Sequence, residues 1–331
     1  MPASNVQTGS PLTRLTPFYP PQWGVRGSDN KLGLRQHSTG AIFYVDPNHP
    51  DCNDAGDGTD PEHPMQHVAA ALLLCAAFRG DEIHVMSSNA WQYGNPLQGN
   101  LIPVSENVIV TVPGVRIVGV SKSSSTGVVW TPASNGGTCI TVNALDVLIE
   151  GFLFTQGIVW AGCNAISAEW NGPTEFGDNL TVRNCMFDPS VDVAISLNYV
   201  WYANIHHNTF WQCDDAGIQA VNPGHGAVDY LEISENILHD CANHAMDLPG
   251  CDNSHIWNNS IYNTDAQAGA AATDEGILTT GGSGNQVFDN YFSCLLPAAA
   301  PGDYNDLNTA AATDAWIGNH CMNGLAITNP T

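Results

Sequence analysis

A short motif that recurs along the second half of the chain constrains the fold more than any other feature. Each copy reads Ile or Val, two variable residues, Asn, one variable residue and an apolar residue. Four full copies lie at 205–210, 233–238, 256–261 and 287–292, and looser copies lie at 149–154, 182–187 and 317–322. Stacked amide side chains bond one another where strands stack in register. We therefore expect a ladder of the four asparagines, Asn208, Asn236, Asn259 and Asn290.

A second motif, a small residue followed by Ile or Met, alternates with the first at a nearly constant spacing. Phe187 precedes Ile195 by eight residues, and Ile195 precedes Ile205 by ten. One complete repeat therefore takes 23 residues, from Val182 to Ile205, which is enough for two short strands and their turns. Such units stack about 4.8 Å apart as rungs of a parallel β-helix. The predicted inward columns are Val182, Ile205, Ile233, Ile256 and Val287 in one, and Ile195, Ile218, Met246 and Ile277 in the other.

The residues before the repeat carry a pattern of their own. Ala41–Val45 is typical of a strand, Pro64–Phe78 is typical of a helix with proline near its first turn, and Gly80–Val85 returns to strand. Together with the repeat, this order resembles the right-handed β-helix proteins of the pectate-lyase-like superfamily, over about residues 41–327.

The resemblance implies an all-β fold. We expect a single right-handed parallel β-helix of roughly nine to ten rungs, with its N-terminal end capped by the helix. The chain then divides into an extended docking arm (1–40), a first strand, loop and capping helix (41–80), and the parallel β-helix itself (81–331).

The chain is strongly acidic, with 32 Asp and Glu against 8 Lys and Arg and a net charge of −24. Neutralising phosphates requires Lys and Arg, so nucleic acid is excluded as a partner, and acidic polysaccharides are repelled. No apolar run approaches the roughly 20 residues of a membrane span, and we expect no classical signal peptide. The ten cysteines form no Cys-x-x-Cys pair, which favours reduced thiols packed as small apolar residues but leaves bridging open.

Residues 1–40 differ from the rest of the chain in carrying basic residues among prolines and aromatics. Pro17, Pro20 and Pro21 exclude a helix there. We expect this arm to dock on the acidic surface of another subunit, with aromatic side chains as apolar anchors. The docking residues predicted are Arg14, Phe18, Tyr19, Trp23, Arg26, Lys31 and Arg35.

Aspartates recur three residues before the second motif. Asp192 and Asp215 hold this position in neighbouring repeats, with Asp214 alongside, and Asn243 and Asp274 continue the series. In register, Asp192 and Asp215 lie about 5 Å apart, which suits a retaining glycosidase and equally a hard cation such as calcium. Aspartates also begin strands by bonding local backbone amides. The residues leave catalytic, metal-binding and turn-forming roles open.

Enzymes of the superfamily provide a comparison for these acids. Those that cleave polyuronates by elimination use an Arg or Lys base beside a calcium-bound carboxylate, whereas this chain has no Lys or Arg after Arg183. Hydrolases resembling polygalacturonases use an Asp-Asp pair, a Gly-His-Gly and an Arg-Ile-Lys. Asp214-Asp215 and the Gly-His-Gly at 224–226 match the first two, but they lie ten residues apart and no Arg-Ile-Lys follows.

Unequal connections between the motifs outline a groove. The connections from 166 to 182 and from 218 to 233 take 16 and 15 residues and flank one of ten. The long connections form lips beside a low floor, and aromatic residues there suit the apolar face of a neutral sugar. The predicted glycan-binding residues are Trp170, Trp201, Tyr202, His225 and Asp229, with Glu175, Phe176, Tyr199 and Tyr230 beside them. The same aromatics would equally pack the lips down or face a sister subunit.

Two classes of function fit these observations. The basic arm and the incomplete catalytic sets favour a non-enzymatic structural or adhesive protein of a virion surface, resembling the decoration, fibre or spike proteins of bacterial viruses. Its expected partners are further copies of this chain in a homo-oligomer such as a trimer, a capsid or tail protein, and a carbohydrate ligand. The alternative, favoured by Asp192, Asp214, Asp215 and the aromatic floor, is a glycan-degrading hydrolase, free or on a tail spike. No cofactor other than the calcium considered above is implied.

Overall fold

The computed structural model describes residues 40–86, 103–120, 128–155, 162–170, 177–188, 191–221, 228–241, 244–263, 275–279, 282–294, 304–306 and 314–321. The seven predicted docking residues of the arm (Arg14, Phe18, Tyr19, Trp23, Arg26, Lys31 and Arg35) lie outside these ranges, as does the Gly-His-Gly at 224–226.

Within the described ranges, most strands belong to three long parallel sheets in which each strand pairs with its counterparts in the neighbouring rungs. With strands numbered in chain order, the first sheet contains β1 (Ile42–Val45), β2 (Glu82–Met86), β5 (Arg116–Val120), β8 (Leu148–Glu150), β11 (Thr181–Arg183), β14 (Asn204–His206), β18 (Glu232–Ser234), β22 (His255–Trp257), β25 (Gln286–Phe288) and β28 (Ala315–Ile317). The second sheet contains β3 (Val104–Ser105), β6 (Val128–Thr131), β9 (Phe152–Phe154), β12 (Met186–Phe187), β15 (Thr209–Trp211), β19 (Ile237–His239), β23 (Ser260–Asn263), β26 (Tyr291–Cys294) and β29 (His320–Cys321).

The third sheet contains β4 (Val108–Val110), β7 (Thr138–Val142), β10 (Asn164–Ala168), β13 (Val193–Asn198), β16 (Ala216–Val221), β20 (His244–Asp247), β24 (Glu275–Thr279) and β27 (Tyr304–Asp306). A small fourth sheet pairs β17 (Val228–Asp229) with β21 (Cys251–Asp252). The chain visits the first, second and third sheets in turn and then returns to the first, one rung further on. The predicted all-β parallel β-helix is therefore confirmed, and the ten strands of the first sheet agree with the nine to ten rungs expected. Each complete rung, however, has three short strands rather than the two that the repeat predicted.

Both predicted columns are formed in register. Val182 pairs with Ile205, Ile205 with Ile233, Ile233 with Ile256, and Ile256 with Val287. The second column pairs Ile195, Ile218, Met246 and Ile277 in the same way. All nine side chains are buried, and removing each from water stabilises the fold by roughly 1.5–3 kcal/mol.

The capping helix is shorter than predicted. The prediction was Pro64–Phe78, whereas α1 spans Val68–Leu72 and contacts β1, β2 and β4. The sequence before it is held extended, because the Met65 amide donates to the Tyr44 carbonyl and the Met65 carbonyl accepts from Asp46. Phe78 adopts a positive φ of 56°, which a continuing helix does not allow. No helix in the described ranges is both long and apolar enough to span a membrane.

The asparagine ladder is confirmed and is longer than predicted. We call the residues that join each first-sheet strand to the following second-sheet strand the asparagine corner: 184–185, 207–208, 235–236, 258–259, 289–290 and 318–319. Each asparagine Nδ2 donates to the Oδ1 of the next, from Asn208 to Asn236 (3.1 Å), to Asn259 (3.0 Å), to Asn290 (2.9 Å) and to Asn319 (3.0 Å). The same oxygens accept backbone amides, as Asn236 Oδ1 does from Asn208 N at 3.0 Å, so these buried side chains are well bonded.

The last copy of the motif was aligned one residue too late. Trp316, not Ile317, pairs with Val287 in the inward column, and Ile317 is 67% exposed. The ladder position is accordingly Asn319 rather than His320. A shift of one residue exchanges the two faces of a strand, and the large apolar Trp316 takes the inward place.

Candidate functional site

The candidate site lies where the third-sheet strands return to the first sheet. Tyr202 and Tyr230 occupy the same position in consecutive rungs, because Tyr202 N donates to the Asp229 carbonyl and Tyr230 N to the Asp252 carbonyl, both at 3.0 Å. Their rings are stacked, with centroids 5.0 Å apart and an interplanar angle of 9°. They are 54% and 45% exposed, so about half of the surface of this aromatic pair faces solvent.

Both tyrosines adopt left-handed backbone conformations, with φ of 62° at Tyr202 and 58° at Tyr230. A bulky residue rarely adopts positive φ. Asn179 and Asn253, which hold the equivalent position in the flanking rungs, have φ of 56° and 52°, and asparagine tolerates this conformation. The tyrosines therefore stand at a position for which the backbone alone favours asparagine.

Trp201 precedes Tyr202 and is also exposed. Its backbone amide donates to Asp178 Oδ1 at 2.8 Å, and it forms a parallel bridge with Asp229. Burial raises the pKa of Asp178, and the hydrogen bond from Trp201 opposes that rise.

Asp229 differs from the acids of the neighbouring rungs. Its Oδ1 is buried and has no hydrogen-bond partner among the described residues, whereas Asp252 Oδ1 accepts from Ser283 Oγ at 3.0 Å. Burial raises the pKa of Asp229, and the nearby Asp252 charge raises it further. We call Trp201, Tyr202, Asp229 and Tyr230 the aromatic corner. It combines exposed aromatic faces with one buried acceptor that the described protein groups leave unused.

A second aromatic pair lies at the ends of β10 and β13. The rings of Trp170 and Tyr199 are stacked, with centroids 5.3 Å apart. Beside them, Ser167 Oγ donates to Glu169 Oε1 at 2.8 Å. Glu169, which directly follows β10, is not among the residues predicted from the sequence, although its spacing of two residues from Ser167 favours one face for both side chains.

The structure places Asp192 and Asp215 in neighbouring rungs, as the spacing requires. Asp215 N donates to the Asp192 carbonyl at 2.9 Å. The pKa of Asp192 is raised first by burial and then by the charges of Asp215 and Asp214, and partial burial raises the pKa of Asp214. Their catalytic and metal-binding roles stay predictions.

These acids lie far from the aromatic corner. Asp192 precedes β13 and Trp201 follows it, and a strand of this length spans about 20 Å. The structure therefore brings Trp201, Tyr202, Asp229 and Tyr230 together but does not bring them to the acids.

Metal binding gains no support in the described ranges. No group of three His, Cys, Asp or Glu side chains there is arranged to hold an ion. Calcium at Asp192 and Asp215 stays a prediction, since Asn243 and Asp274, like His225, Glu175 and Phe176, lie outside the described residues.

Comparison with solved structures shows the fold. The chain is similar to the lacto-N-biosidase of glycoside hydrolase family GH136 from Eubacterium ramulus, with 9% identity and a TM-score of 0.52, over 89% of this chain and 56% of that one. It is also similar to the C387A mutant of DFA-IIIase from Arthrobacter chlorophenolicus A6 in complex with DFA-III, with 12% identity and a TM-score of 0.55, over 84% of this chain and 67% of that one. This chain thus spans little more than half the length of the lacto-N-biosidase.

A viral chain, ORF18 of Geobacillus virus E2, is similar with 12% identity and a TM-score of 0.41, over 90% of this chain and 63% of that one. A likeness at this level carries no argument about location. No curated protein matches the chain with significance. The family model described as "Right handed beta helix region" matches residues 110–292, which is more than half of the sequence. The chain therefore belongs to the right-handed β-helix family.

Proposed function

We propose that this protein is a non-enzymatic, adhesive β-helix that binds neutral glycans at the aromatic corner. The observation that carries the proposal is the stacked, exposed pair of Tyr202 and Tyr230 beside a buried Asp229 oxygen without a partner among the described residues. Aromatic faces are the surfaces on which the apolar side of a sugar ring packs.

Asp229 Oδ1 is the proposed polar contact of the site, because it is buried and accepts no hydrogen bond from the described residues. A buried oxygen without a hydrogen bond costs about 1–3 kcal/mol. A sugar hydroxyl that donates to Asp229 Oδ1 would remove this cost, while the ring packs on the tyrosines. The raised pKa of Asp229 reflects burial, and bonding to the charged form would oppose that rise.

The charge of the protein restricts the class of glycan. A net charge of −24 repels polyanions at physiological ionic strength, and Asp252 adds negative charge next to Asp229. We therefore propose uncharged oligosaccharides, with hydroxyl groups as hydrogen-bond donors, rather than uronate polymers or sialylated chains.

Binding to an array of neutral and acidic glycans tests the proposal, followed by calorimetric titration of the strongest ligand. Tyr202→Asn keeps the residue type that the flanking rungs use and is expected to weaken binding at least tenfold, or about 1.4 kcal/mol. Trp211→Ala removes an exposed aromatic from the second sheet and is the matched control. Equal losses in both variants, or no neutral glycan bound by the wild-type protein, would refute the proposal.

A location on a virion surface, assembly as a homo-oligomer and docking through residues 1–40 are parts of the same proposal. The four basic residues of the arm, Arg14, Arg26, Lys31 and Arg35, are complementary to the acidic remainder of the chain. Deleting residues 1–40 is expected to leave a folded β-helix with altered assembly, measured by analytical ultracentrifugation at low and high salt. Identical sedimentation of the full chain and the deletion variant would refute assembly through residues 1–40.

The hydrolase alternative rests on one observation. Asp192 and Asp215 lie in neighbouring rungs, and the pKa of Asp192 is raised, as in a carboxyl that acts as a general acid. If glycan cleavage is detected, Asp215→Asn should abolish it without loss of the fold. Cleavage that survives this substitution would exclude the acids as its source.

A further inference from the structure

Cys213 and Cys241 occupy equivalent positions in consecutive rungs. Before them, Trp211 pairs with His239, and after them, Ala216 pairs with His244. Both pairs are 28 positions apart, so the two connections keep the same register and Cys213 stacks on Cys241, which is also 28 positions later. Stacked rungs place equivalent Cα atoms about 4.8 Å apart, within the range of about 4.4–6.8 Å that a disulfide spans.

The two thiols lie in the interior of the β-helix. Both residues are buried and reduced, and the Cys213 thiol interacts with the Cys241 thiol. Packing around them is close, since a Cβ atom on Gly217 would lie 3.4 Å from Cys241 Sγ and 2.8 Å from the Ala245 carbonyl oxygen. The register therefore places the two thiols at the same position of adjacent rungs, within closely packed surroundings.

We propose that Cys213 and Cys241 are a modification site, at which a small disulfide such as oxidised glutathione converts the thiol pair into an inter-rung disulfide bond. One thiolate attacks the glutathione disulfide and releases one reduced glutathione. The second thiolate then attacks the mixed disulfide and releases the other. Two S–H bonds and one S–S bond are broken, one protein S–S bond and two glutathione S–H bonds are formed, and two electrons pass to glutathione.

The bond would fix the turn that carries two of the candidate carboxylates. Cys213 is followed directly by Asp214 and Asp215, so the bridge ties this turn to the next rung. The pKa of the Cys213 thiol is raised well above its usual range by its interaction with the Cys241 thiol and by burial. Because the thiolate is the reactive form, oxidation is expected to be slow at neutral pH and to accelerate as the pH rises.

The experiment maps the thiols of the full chain after incubation with oxidised glutathione at pH 8.5, followed by alkylation with iodoacetamide in denaturant. A second sample is refolded from urea in a glutathione redox buffer, where burial does not limit access. We expect a cross-linked peptide containing Cys213 and Cys241, two hydrogen masses lighter than the reduced pair. We also expect a melting temperature about 5 °C higher, reversed by dithiothreitol.

Cys213→Ala should lose the oxidant-dependent rise in melting temperature, and Cys251→Ala, which removes a buried thiol in β21, should keep it. Peptide mapping of the wild-type protein does not depend on either variant folding. Alkylation of both Cys213 and Cys241 in the refolded sample, or a bridge from either one to another cysteine, would overturn the proposal.

Discussion

The asparagine corner and the aromatic corner share one backbone feature: each places a residue of positive φ at the same position in successive rungs. In the asparagine corner, φ is 57° at His207 and 56° at Glu235. In the aromatic corner, φ is 62° at Tyr202 and 58° at Tyr230. In the asparagine corner, the next residue inward is a buried asparagine bonded to the rungs on both sides. In the aromatic corner, the rings face solvent and Asp229 keeps a buried oxygen without a partner in the described ranges.

The two corners therefore share a backbone conformation but differ in whether their buried polar atoms are hydrogen bonded within the protein. Buried polar groups in proteins are normally paired. The asparagine corner meets this rule with its own side chains, because each ladder asparagine is hydrogen bonded within the protein. In the aromatic corner, no group of the described residues donates to Asp229 Oδ1, so we interpret this corner as a surface where a ligand supplies the donor.

The largest loss of stability is expected when a hydrogen-bonded asparagine of the asparagine corner is replaced. Asn236→Ala removes the acceptor of Asn208 N and Nδ2 and the donor to the Ile205 carbonyl and to Asn259. Leaving these buried groups unpaired should lower the free energy of unfolding by about 3–5 kcal/mol, measured by urea denaturation. Asn204→Ala, at an exposed position of β14, is the control and should change stability by less than about 0.5 kcal/mol. Similar losses in both variants would contradict a structural role for the ladder.

A smaller change in stability is expected from the titration of His206, the last residue of β14, next to the asparagine corner. Burial lowers the pKa of His206 to about 4, with the charges of His207 and Arg183 adding to the effect. Its unfolded pKa is about 6.5, so the stability contributed by neutral His206 is complete above pH 6.5 and is lost as the pH falls towards 4. His206→Gln should remove about 1–3 kcal/mol of the difference in unfolding free energy between pH 7 and pH 4.5.

His320→Gln, at an exposed position of β29, is the control for His206. It should retain the wild-type dependence on pH. A His206→Gln variant that loses stability on acidification as steeply as the wild-type protein would show that His206 is not the group concerned.

In the aromatic corner, a substitution should increase the free energy of unfolding rather than lower it. Asp229→Asn removes a partly buried charge and should raise the free energy of unfolding at pH 7 by about 0.5–1 kcal/mol in the absence of glycan. Because burial raises the pKa of Asp229, wild-type stability decreases as the pH rises through that pKa, and the gain from the variant should disappear in acid. Asp289→Asn, at an exposed residue of the asparagine corner, should show no such gain. A clear loss of stability in Asp229→Asn would mean that the carboxylate has a structural partner.

The smallest effect on stability is expected at the tyrosines. Tyr202→Asn gives up a ring stack worth about 0.5–1.5 kcal/mol but relieves the positive φ of a bulky residue. The net change should stay within about 0.5 kcal/mol by urea denaturation. A loss above about 1.5 kcal/mol would instead support the alternative that these aromatics pack the surrounding connections together.

Sequence periodicity predicted the elements that depend on stacking. The inward columns and the ladder follow from spacing, because like residues must meet where rungs repeat. The same reasoning aligned the last copy of the motif on Ile317, since the motif alone does not distinguish Trp316 from Ile317 when the register moves by one residue. It also extended the helix to Phe78, because the bonds that hold Met65 and the φ of Phe78 depend on tertiary contacts.

The site was predicted less completely than the fold. Aromatic candidates Trp201 and Tyr202 were found from composition and loop length, and the structure brings both to Asp229. Asp229 differs from Asp178 and Asp252 in that its Oδ1 accepts no hydrogen bond from the described residues. Such a hydrogen bond depends on the donor in the neighbouring rung rather than on the local sequence.

The most direct test of the central claim is a crystal structure of the full chain with the neutral oligosaccharide that binds best in the array. We predict that one sugar ring packs against Tyr202 and Tyr230, with a hydroxyl oxygen within about 3 Å of Asp229 Oδ1. Sugar density elsewhere, such as over Asp192 and Asp215, or a protein group bonded to Asp229 Oδ1 in the complex, would contradict the account.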